Sequence, residues 1–594
     1  MILPLGPSRR PPLHPTGTSL CGVTMDGMRQ NSIFGMNDVQ GFSYCSRAMR
    51  TQIPKHEMPH DSMPKEVASQ LIKDEMILDG QPRQNLASFV ATYMEPEAEE
   101  LMAMAATKNY IDIDEYPNVF SMQQRCVNMI ARLFHAPLEE TEEGTGTGTI
   151  GSSEAIMLAT LAMKWRWKER RIAAGLPYDK PNIIFGANVQ VCWHKATKYF
   201  EIESREAPVS PDSLVLTADR ARPLIDENTI GVCPILGSTF NGEYEDIKGI
   251  HDMVVEVNAA NGWDIPVHVD AASGGFVAPF VQPDLAWDFQ LPQVKSINVS
   301  GHKYGLVYAG IGWIVFREKK DLPEDLVFHV NYLGGDQSSF TLNFSKSSAN
   351  IVGQYYNFLR LGKQGYFQVR ILCSGWQCVS LLLLKRRNGI ALRSVLSLDI
   401  VDKEHTPVVA WALKDTAKYT VFDIQDKLRN KGWIVPAYTC PDGAEELAIM
   451  RVVVKENFSR DLAEMLLDDF VSRFGFKSIW FCLGTGFASV LTEFSDLLPR
   501  RLAGRPTRDA DDRSGYWFSG IFVFFSCTLI AEFRFSITFS RFWTTPHGCQ
   551  GSNKSERCTS FRCRPFATSL DPLRVHLSNH CVDGNPTARG DRVL

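Results

Sequence analysis

The chain has 594 residues, of which 44% are hydrophobic and 22% are charged, and its formal net charge is −5 at pH 7. This balance is typical of a globular protein and disfavours bulk binding to nucleic acid or to an anionic membrane. The 14 cysteines follow no even framework in so long a chain, which indicates reduced, buried thiols and a cytoplasmic protein.

The first 120 residues predict a leader followed by helices. Residues 1–52 are rich in Pro, Gly, Ser and Met without periodicity, and we expect a disordered leader there. Its apolar start is broken by a proline and is too short for a secretory signal. Residues 53–120 form an N-terminal helical segment, in which Val67, Leu71 and Met76 share one helical face and 96–106 form an acidic helix.

Residues 121–345 show the pattern of a large cofactor-binding α/β domain. We expect a helix over 121–134, a Gly/Thr loop over 145–151 and a second helix that begins at Ser152. Short apolar runs then alternate with helical patterns, which predicts a mainly parallel sheet covered on both faces. The predicted strands of this sheet are 182–185, 214–216, 231–236, 267–270, 296–299 and 310–317.

The pattern of residues 346–476 predicts a connecting helix and a smaller α+β domain. The helix is expected over 345–361. The predicted elements of this domain are strands over 408–413, 433–436 and 450–454 and helices over 420–429 and 462–474.

Two stretches do not follow the pattern of their neighbours. Residues 367–405 lack the expected amphipathic helix and turn chemistry, and from 477 to 594 charged and apolar residues fall without period. We interpret both as read-through of non-coding sequence; the alternative is a real insertion and a disordered tail.

The tail contains three further patterns that we weigh and set aside. Residues 514–531 carry no charge over 18 positions, the lower limit for a membrane span, but Ser, Gly, Cys and Thr within them disfavour one. Residues 479–501 do not make a convincing calmodulin-binding helix, because their charges lie at the wrong end. The spacing of the last cysteines is irregular and unlike a zinc site, so no metal is expected.

Lys303 is the first candidate for covalent chemistry. It follows the predicted strand 296–299 in the turn Ser300-Gly301-His302. A lysine at a strand end is less hydrated than a surface lysine, which lowers its pKa and leaves its amine free to attack a carbonyl. Pyridoxal 5′-phosphate (PLP) is a carbonyl cofactor that uses such a lysine, although most lysines in turns are simply solvated.

Three upstream elements offer what such a cofactor needs. Ser152 and Ser153 at a helix start present free backbone N–H groups and a positive dipole end to a phosphate, although an ordinary N-cap would look the same. His268 and Asp270 share a face at a strand end, where an aspartate can keep a pyridine nitrogen protonated or can simply cap a turn. Gln190 places a planar polar group after another strand.

In this order the motifs resemble those of the glutamate decarboxylases, which are group II PLP-dependent decarboxylases. The resemblance covers 53–476 with a gap at 367–405. It implies an α/β fold of the PLP-dependent transferase (aspartate-aminotransferase) type, with a large domain and a smaller C-terminal α+β domain. Besides HVDAA (268–272) and SGHK (300–303), it rests on 79–87, 111–117, 162–167, 278–281 and 432–437.

The resemblance implies a role for each matching residue. Lys303 would form the Schiff base with PLP, and Asp270 would pair with the pyridinium nitrogen. The residues expected at the phosphate are Ser152, Ser153, Ser300 and His302, joined across a dimer interface by Ser345. The residues expected beside the ring are Gln190, Ala272 and, near the phenolic oxygen, Thr239. The residues expected to bind substrate are Ser88, Phe89 and Asp112 at the side-chain carboxylate and Arg451 at the α-carboxylate.

Tyr332 and Ser88 are two further positions that the resemblance covers. Tyr332 matches a tyrosine on a mobile loop, 327–337, that would assist protonation after decarboxylation, so it joins Lys303, Asp270 and His302 as an expected catalytic residue. Ser88 stands where threonine is common in the family. Its hydroxyl preserves the hydrogen bond, worth about 1.5–3 kcal/mol to a charged group, but the fit to the substrate is expected to loosen.

The implied reaction is the α-decarboxylation of L-glutamate to 4-aminobutanoate (GABA) and CO2 through a quinonoid intermediate. A homo-oligomer, dimer or hexamer, with the active site at a dimer interface is expected. Two alternatives remain open from the residues: another PLP-dependent amino-acid decarboxylase or lyase, and a non-functional product of a faulty gene model whose small domain cannot pack.

Overall fold

A seven-stranded sheet forms the centre of the chain in a computed structural model, which describes residues 53–330, 337–386, 392–393, 405–413, 416 and 419–473. The strand order is β1-β7-β6-β5-β4-β2-β3. The strands are β1 (Thr145–Thr149), β2 (Asn182–Gly186), β3 (Glu203–Ala207), β4 (Thr229–Val232), β5 (Val267–Asp270), β6 (Val294–Val299) and β7 (Gly312–Phe316). Strands β2 to β6 run parallel, whereas β7 lies antiparallel to both β6 and β1. The expected α/β fold with a mainly parallel sheet is confirmed.

The central strands of the sheet are buried on both faces, as their sequence predicts. Eleven helices lie in the described part of the chain, two of them a single turn long: α1 (Lys65–Met76), α2 (Pro96–Ala105), α3 (Pro117–Leu133), α4 (Ser152–Ala173), α5 (Val191–Tyr199), α6 (Ala218–Ala221), α7 (Ile247–Asn261), α8 (Ala278–Val281), α9 (Ala349–Arg386), α10 (Val421–Arg429) and α11 (Arg460–Arg473). Ile184 of β2 packs with α3 and α7, while Ile183 and Phe185 pack with α4 and α5. Successive side chains of a strand point to opposite faces, so each face has its own apolar layer.

The prediction of a loop over 145–151 is wrong, because its first five residues form strand β1. Gly146 pairs with Val315 of β7, and a Cβ on Gly146 would lie 2.4 Å from the carbonyl oxygen of Ile314. Glycine therefore lets β1 approach the backbone of β7 closely. From composition alone, the same glycines predict a turn.

Two predicted strands are also wrong. Leu214 and Leu216 are buried, but residues 214–216 form no strand. Trp433 and Val435 are likewise buried, yet the strand begins only after them. In both places an apolar run marks a loop that packs into the core, which periodicity does not distinguish from a short strand.

A second, four-stranded sheet has the order β10-β11-β13-β12. Its strands are β10 (Leu392–Arg393), β11 (Val408–Leu413), β12 (Ala437–Thr439) and β13 (Ala448–Val453), and a separate hairpin pairs β8 (Phe328–Val330) with β9 (Gln337–Ser339). Trp411 and Val452 pack in one apolar core with Leu428 of α10 and Phe470 of α11. The division of the chain into domains remains a prediction.

Helix α9 is longer than the predicted 345–361 helix and contains a bend. Its backbone leaves the helical conformation at Gly362 (φ 56°, ψ −173°), and it continues to Arg386. The backbone is therefore helical in the first half of 367–405, where we expected no amphipathic helix. No helix in the described residues is long and apolar enough to cross a membrane; residues 479–501 and 514–531 lie outside them.

Candidate active site

Lys303 lies in the loop that follows β6, at the carboxyl edge of the large sheet. Its Nζ donates a hydrogen bond to Oγ of Ser273 at 3.1 Å and lies 5.4 Å from the ring centroid of Phe89. Burial lowers the pKa of Lys303, opposed by the nearby charge of Asp270. A desolvated lysine loses its proton more readily, which favours the nucleophilic amine.

The Lys303 loop is fastened by helix α9, a feature that the sequence did not indicate. Gln354 and Tyr366 donate hydrogen bonds to the carbonyl oxygen of Gly305 at 3.1 and 2.9 Å. Asn357 donates to the carbonyl oxygen of Leu306 at 2.7 Å. These bonds satisfy buried carbonyls of an irregular loop, so they hold the backbone around the lysine in one conformation.

Asp270 ends strand β5 and is buried with both carboxylate oxygens bonded. Oδ2 accepts a hydrogen bond from Nε1 of Trp193 at 3.0 Å, and Oδ1 accepts from Nδ2 of Asn298 at 3.0 Å and from the backbone N–H of Ala272 at 3.2 Å. These three hydrogen bonds hold the carboxylate in place at the end of β5. Neither Trp193 nor Asn298 was among the predicted site residues, although Asn298 precedes SGHK by only one residue.

The start of helix α4 forms an anion cradle with the Lys303 loop. The helix has no side-chain cap at its N-terminus, so its first N–H groups are available to a ligand. A Cβ on Gly151 would lie 3.1 Å from Cε1 of His302, which places the histidine beside the helix start. Ser152 is half-buried and Ser153 is exposed at this end.

Unpartnered polar atoms lie in this cradle. Oγ of Ser300 and Nδ1 of His302 are buried and have no hydrogen-bond partner among the described residues. Burial, and next the charge of Lys303, lowers the pKa of His302 to about 4, so its ring is neutral at physiological pH and can donate one N–H. Buried polar groups normally have a partner, and a phosphate would supply one. The residues present therefore fit the phosphate of the expected cofactor.

Arg451 of β13 brings the second sheet to the site. It donates to the carbonyl oxygens of Thr239 and, at 2.9 Å, of Ala87. Its guanidinium carbon lies 4.8 Å from the ring centroid of Phe89, the ring that also faces Lys303. Its Nε is buried without a partner in the described residues, so this cation retains a donor for an anionic group.

The remaining predicted ring and substrate residues occupy the surrounding turns. Ser88 follows Asn85, whose Oδ1 accepts its backbone N–H at 3.3 Å, and Ser88 Oγ in turn accepts from the backbone N–H of Val90 at 3.1 Å. Gln190 is the half-buried residue directly before α5, and Ala272 lies two residues after Asp270.

Asp112 and Ser345 form a separate group. Nδ2 of Asn109 donates to Oδ1 of Asp112 at 3.1 Å and lies 3.4 Å from Oγ of Ser345. Within the described residues, the side-chain hydrogen bonds of Asp112 and Ser345 join them to this group and not to Lys303 or Arg451. Asn109 is a residue that sequence reasoning missed; its place three residues before Asp112 was the available signal. Tyr332 lies outside the described residues.

The chain is similar to several known proteins. Residues 59–392 match the pyridoxal-dependent decarboxylase conserved domain. Glutamate decarboxylase 1 of Arabidopsis thaliana is 56% identical over 432 residues, which cover 72% of this chain and 84% of that protein. A glutamate decarboxylase of Aliivibrio fischeri is 45% identical over 428 residues, 72% of this chain and 90% of that one. The structure of a Lactobacillus brevis glutamate decarboxylase aligns with a TM-score of 0.68 at 40% identity, over 72% of this chain and 96% of that one.

Proposed function

The chain belongs to the pyridoxal-dependent decarboxylase family and, within it, to the glutamate decarboxylases, and from this membership we propose how its own residues carry out the reaction. The protein is a PLP-dependent lyase that converts L-glutamate to 4-aminobutanoate and CO2. When bound, PLP supplies an electron sink that stabilises the carbanion left at the substrate Cα.

Lys303 provides the amine that attaches the cofactor. Its burial lowers the pKa of the amine, which makes the neutral, nucleophilic form more accessible. Ser273 accepts a hydrogen bond from Nζ and so orients the amine. Asp270 would hold the proton on the cofactor's ring nitrogen, because a carboxylate oxygen accepts a strong hydrogen bond from a cationic N–H.

The phosphate is held by the start of α4 together with Ser300 and His302. Their unpartnered atoms and the uncapped helix N-terminus support this assignment, as do Ser152 and Ser153 at the same end. Gln190 and Ala272 would lie beside the ring of the bound cofactor, and Thr239, whose carbonyl oxygen accepts from Arg451, would lie towards its phenolic oxygen.

The substrate is held by its two carboxylates. Arg451 takes the α-carboxylate side through the donor that it retains on Nε. The Ser88–Phe89 turn binds the side-chain carboxylate. The hydrogen bond from Arg451 to the carbonyl oxygen of Ala87 holds this turn beside the arginine, so that the two carboxylates of one substrate can be bound together. Holding both ends orients the Cα–carboxylate bond, which is the main contribution that positioning makes to such a reaction.

The active site is completed by a second copy of the chain. Asp112 and Ser345 lie in a group of their own, and exposed apolar residues, Ile150 and Phe344, lie next to the helix start and to Ser345. Apolar side chains at this place favour burial against another subunit. Asp112 and Ser345 of one copy would then serve the Lys303 site of the other. Tyr332, from the 327–337 segment, would act as the proton donor at Cα.

The protein is further proposed to be cytoplasmic. Five cysteines in the described part of the chain are free and buried, which suits a reducing compartment.

The assignment of the site rests on one observation. Lys303 and Asp270 lie near the buried, unpartnered polar atoms of Ser300 and His302. Lys303→Ala is expected to abolish decarboxylation and the visible absorption of the bound cofactor, because no other amine takes its place. Lys295→Ala is the control: Lys295 is also half-buried and bonds the carbonyl oxygen of Pro292, but lies at the opposite end of β6. CO2 release is measured from L-glutamate, L-aspartate and L-tryptophan. Absorption and turnover retained in Lys303→Ala would refute the assignment.

A further inference from the structure

Three buried side chains, Ser296, His268 and Asn298, form a hydrogen-bonded chain that ends on the carboxylate of Asp270. Nδ1 of His268 lies 2.8 Å from Oγ of Ser296, and Nε2 of His268 lies 2.8 Å from Oδ1 of Asn298. Nδ2 of Asn298 lies 3.0 Å from Oδ1 of Asp270. All four residues are at most 4% exposed, so water does not compete for these bonds.

The direction of every bond in this chain follows from Asp270. Nδ2 of Asn298 donates to Oδ1 of Asp270, so the NH2 group of Asn298 faces the carboxylate. The amide oxygen of Asn298 then faces His268, whose Nε2 must carry the hydrogen. Nδ1 of the neutral ring is left as the acceptor for the hydroxyl of Ser296. One protonation state and one orientation satisfy every member.

His268 is suited to hold this arrangement because it stays neutral. Burial lowers the pKa of His268 to about 4, although Asn298 and Asp270 oppose the shift. The ring is fixed between strands β5 and β6 and packs edge-to-face against Trp193, with centroids 5.7 Å apart. Trp193 also donates to Oδ2 of Asp270, so one aromatic group braces both the histidine and the carboxylate.

The strand register explains why the chain forms. His268 pairs with Ser296 and Asp270 pairs with Asn298 across the parallel strands β5 and β6. Side chains at alternate positions face the same side of a sheet, so all four polar groups meet on one face. Polar residues at four such positions of two central strands are unusual in a parallel sheet, whose strands are mostly apolar.

We propose that His268 and Asn298 are positioning residues that act through Asp270, fixing the plane of its carboxylate so that it faces the cofactor's ring nitrogen. The inference rests on the proposed pairing of Asp270 with that nitrogen. Without Asn298, Oδ1 keeps only the backbone N–H of Ala272 at 3.2 Å and Oδ2 keeps Trp193, so the carboxylate loses one of the three donors that restrict its rotation about χ2, a broad torsion.

The test measures PLP binding to the apoenzyme, by quenching of tryptophan fluorescence, and the pH titration of the bound cofactor's absorption. Asn298→Ala is expected to weaken PLP binding roughly tenfold or more, since it removes a hydrogen bond to a charged group, and to shift the absorption titration. His268→Leu is expected to act in the same direction. His268→Gln is expected to restore most of the affinity, because its amide N–H reaches the place of Nε2.

His251→Gln is the matched control. His251 is also buried, and its Nε2 accepts the backbone N–H of Gln293 at 3.2 Å, but it lies on α7 away from the site. Its PLP affinity is expected to equal that of the wild type. Ser296→Ala, which removes only a hydroxyl, replaces Asn298→Ala if that variant does not fold, and is expected to weaken binding a few-fold.

Asp270→Asn separates the inference from the function on which it rests. Unchanged affinity and spectrum in Asp270→Asn would refute the pairing itself. A loss in Asp270→Asn, with unchanged affinity and titration in the Asn298, His268 and Ser296 variants, would overturn the positioning role alone. Equal losses in His268→Leu and His268→Gln would also overturn it, because they would trace the effect to packing.

Discussion

At the scale of single residues, the site contains buried polar atoms that the folded chain leaves without partners. Ser300 Oγ, His302 Nδ1 and Arg451 Nε are such atoms within the described residues. An unpaired buried polar group lowers folding stability by about 1–3 kcal/mol. A ligand that supplies the missing partners therefore binds more tightly. These atoms lower the stability of the apoprotein and raise its affinity for the ligand.

Ser300→Ala separates stability from affinity. The free energy of unfolding of the apoprotein is expected to stay the same or to rise by about 1 kcal/mol, since an unpaired hydroxyl is removed, while PLP affinity falls. Thr160→Val is the control, because the buried hydroxyl of Thr160 donates to the carbonyl oxygen of Ile156 at 2.8 Å. That variant is expected to lose stability and keep its PLP affinity. Urea denaturation and PLP titration measure both quantities; unchanged affinity in Ser300→Ala would contradict the prediction.

Glu245 gives the fold a dependence on pH. Its carboxylate accepts from the backbone N–H groups of Leu216 and Ile235 and from Asn188, yet burial raises its pKa from 4.5 to about 7. A carboxyl with a raised pKa holds its proton more tightly in the folded chain. Its contribution to stability is full below about pH 4.5 and is lost as the pH rises through about 7.

Glu245→Gln is expected to remove this loss. The side chain of the variant is neutral at every pH. Between pH 4.5 and 8 the wild type should therefore lose on the order of 3 kcal/mol of unfolding free energy relative to the variant. The amide NH2 of the variant would face the backbone N–H of Ile235, which lowers the unfolding free energy of the variant by the same amount at every pH and leaves the pH-dependent shift unchanged. Urea denaturation across this range measures the difference, and the exposed Glu169→Gln serves as control. A constant difference would argue against the assignment.

At the scale of elements, the bend in helix α9 lets one helix hold the Lys303 loop from two sides. Gln354 and Asn357 before the bend and Tyr366 after it donate to loop carbonyls, and Arg370 donates to the carbonyl oxygen of Tyr304. A straight helix would carry residues 12 positions apart about 18 Å along its axis. The bend at Gly362 brings both arms to the same short loop.

Gly362→Ala is expected to destabilise the protein by about 1–3 kcal/mol, because φ 56° with ψ −173° is a conformation that only glycine adopts readily. No atom lies within 4 Å of a Cβ at this position, so steric contact does not contribute. Gln364→Ala, an exposed substitution in the same helix, is the control. Thermal unfolding measures both. An increase in stability of Gly362→Ala would instead indicate a helix without a bend, in which alanine is favoured by about 1 kcal/mol.

At the scale of the whole molecule, the site lies where the two sheets meet. Lys303 and Asp270 come from the large sheet, whereas Arg451 comes from the small one. The hydroxyl of Tyr304 donates to the carbonyl oxygens of Pro407 and Val454 at 3.3 and 3.4 Å. These two residues flank β11 and β13 at the same end of the small sheet, so the bonds tie the lysine loop to that end. Substrate binding therefore depends on the folding of residues 405–473, next to the atypical segment.

Soluble expression with bound PLP is accordingly the measurement that distinguishes a working enzyme from a non-functional gene product whose small domain cannot pack. The apolar core around Trp411 and Phe470 leads us to expect a folded protein.

Subunit complementation tests the shared active site. Lys303→Ala and Asp112→Ala are each expected to be inactive alone. In a mixed dimer, one site would combine Lys303 of the second variant with Asp112 of the first, so mixing the two after dissociation should restore up to about a quarter of the wild-type activity, by random pairing of a two-site dimer. Lys303→Ala mixed with Asp270→Ala is the control and should stay inactive, since both residues serve the same site. Absence of recovery in the first mixture would place Asp112 and Lys303 in one subunit's site.

The sequence by itself determined the chemistry and most of the sheet. Covalent and cofactor-binding groups occur in short motifs at strand ends, where local order along the chain already places them: Lys303 after β6, Asp270 at the end of β5 and Ser152 at the start of α4. Alternating apolar runs located four of the parallel strands for the same reason.

Only the tertiary structure decided which distant residues support those motifs. The contacts of Asn298 and Trp193 with Asp270, of Gln354 and Tyr366 with the Lys303 loop, and of Gly146 in β1 with Val315 join residues 28 or more positions apart in the sequence. Local pattern carries no information about such contacts, because register and bends are fixed by the packing of the whole chain. The apolar loop at Leu214–Leu216 shows the converse: burial alone, without a strand partner, produced the same local pattern as a strand.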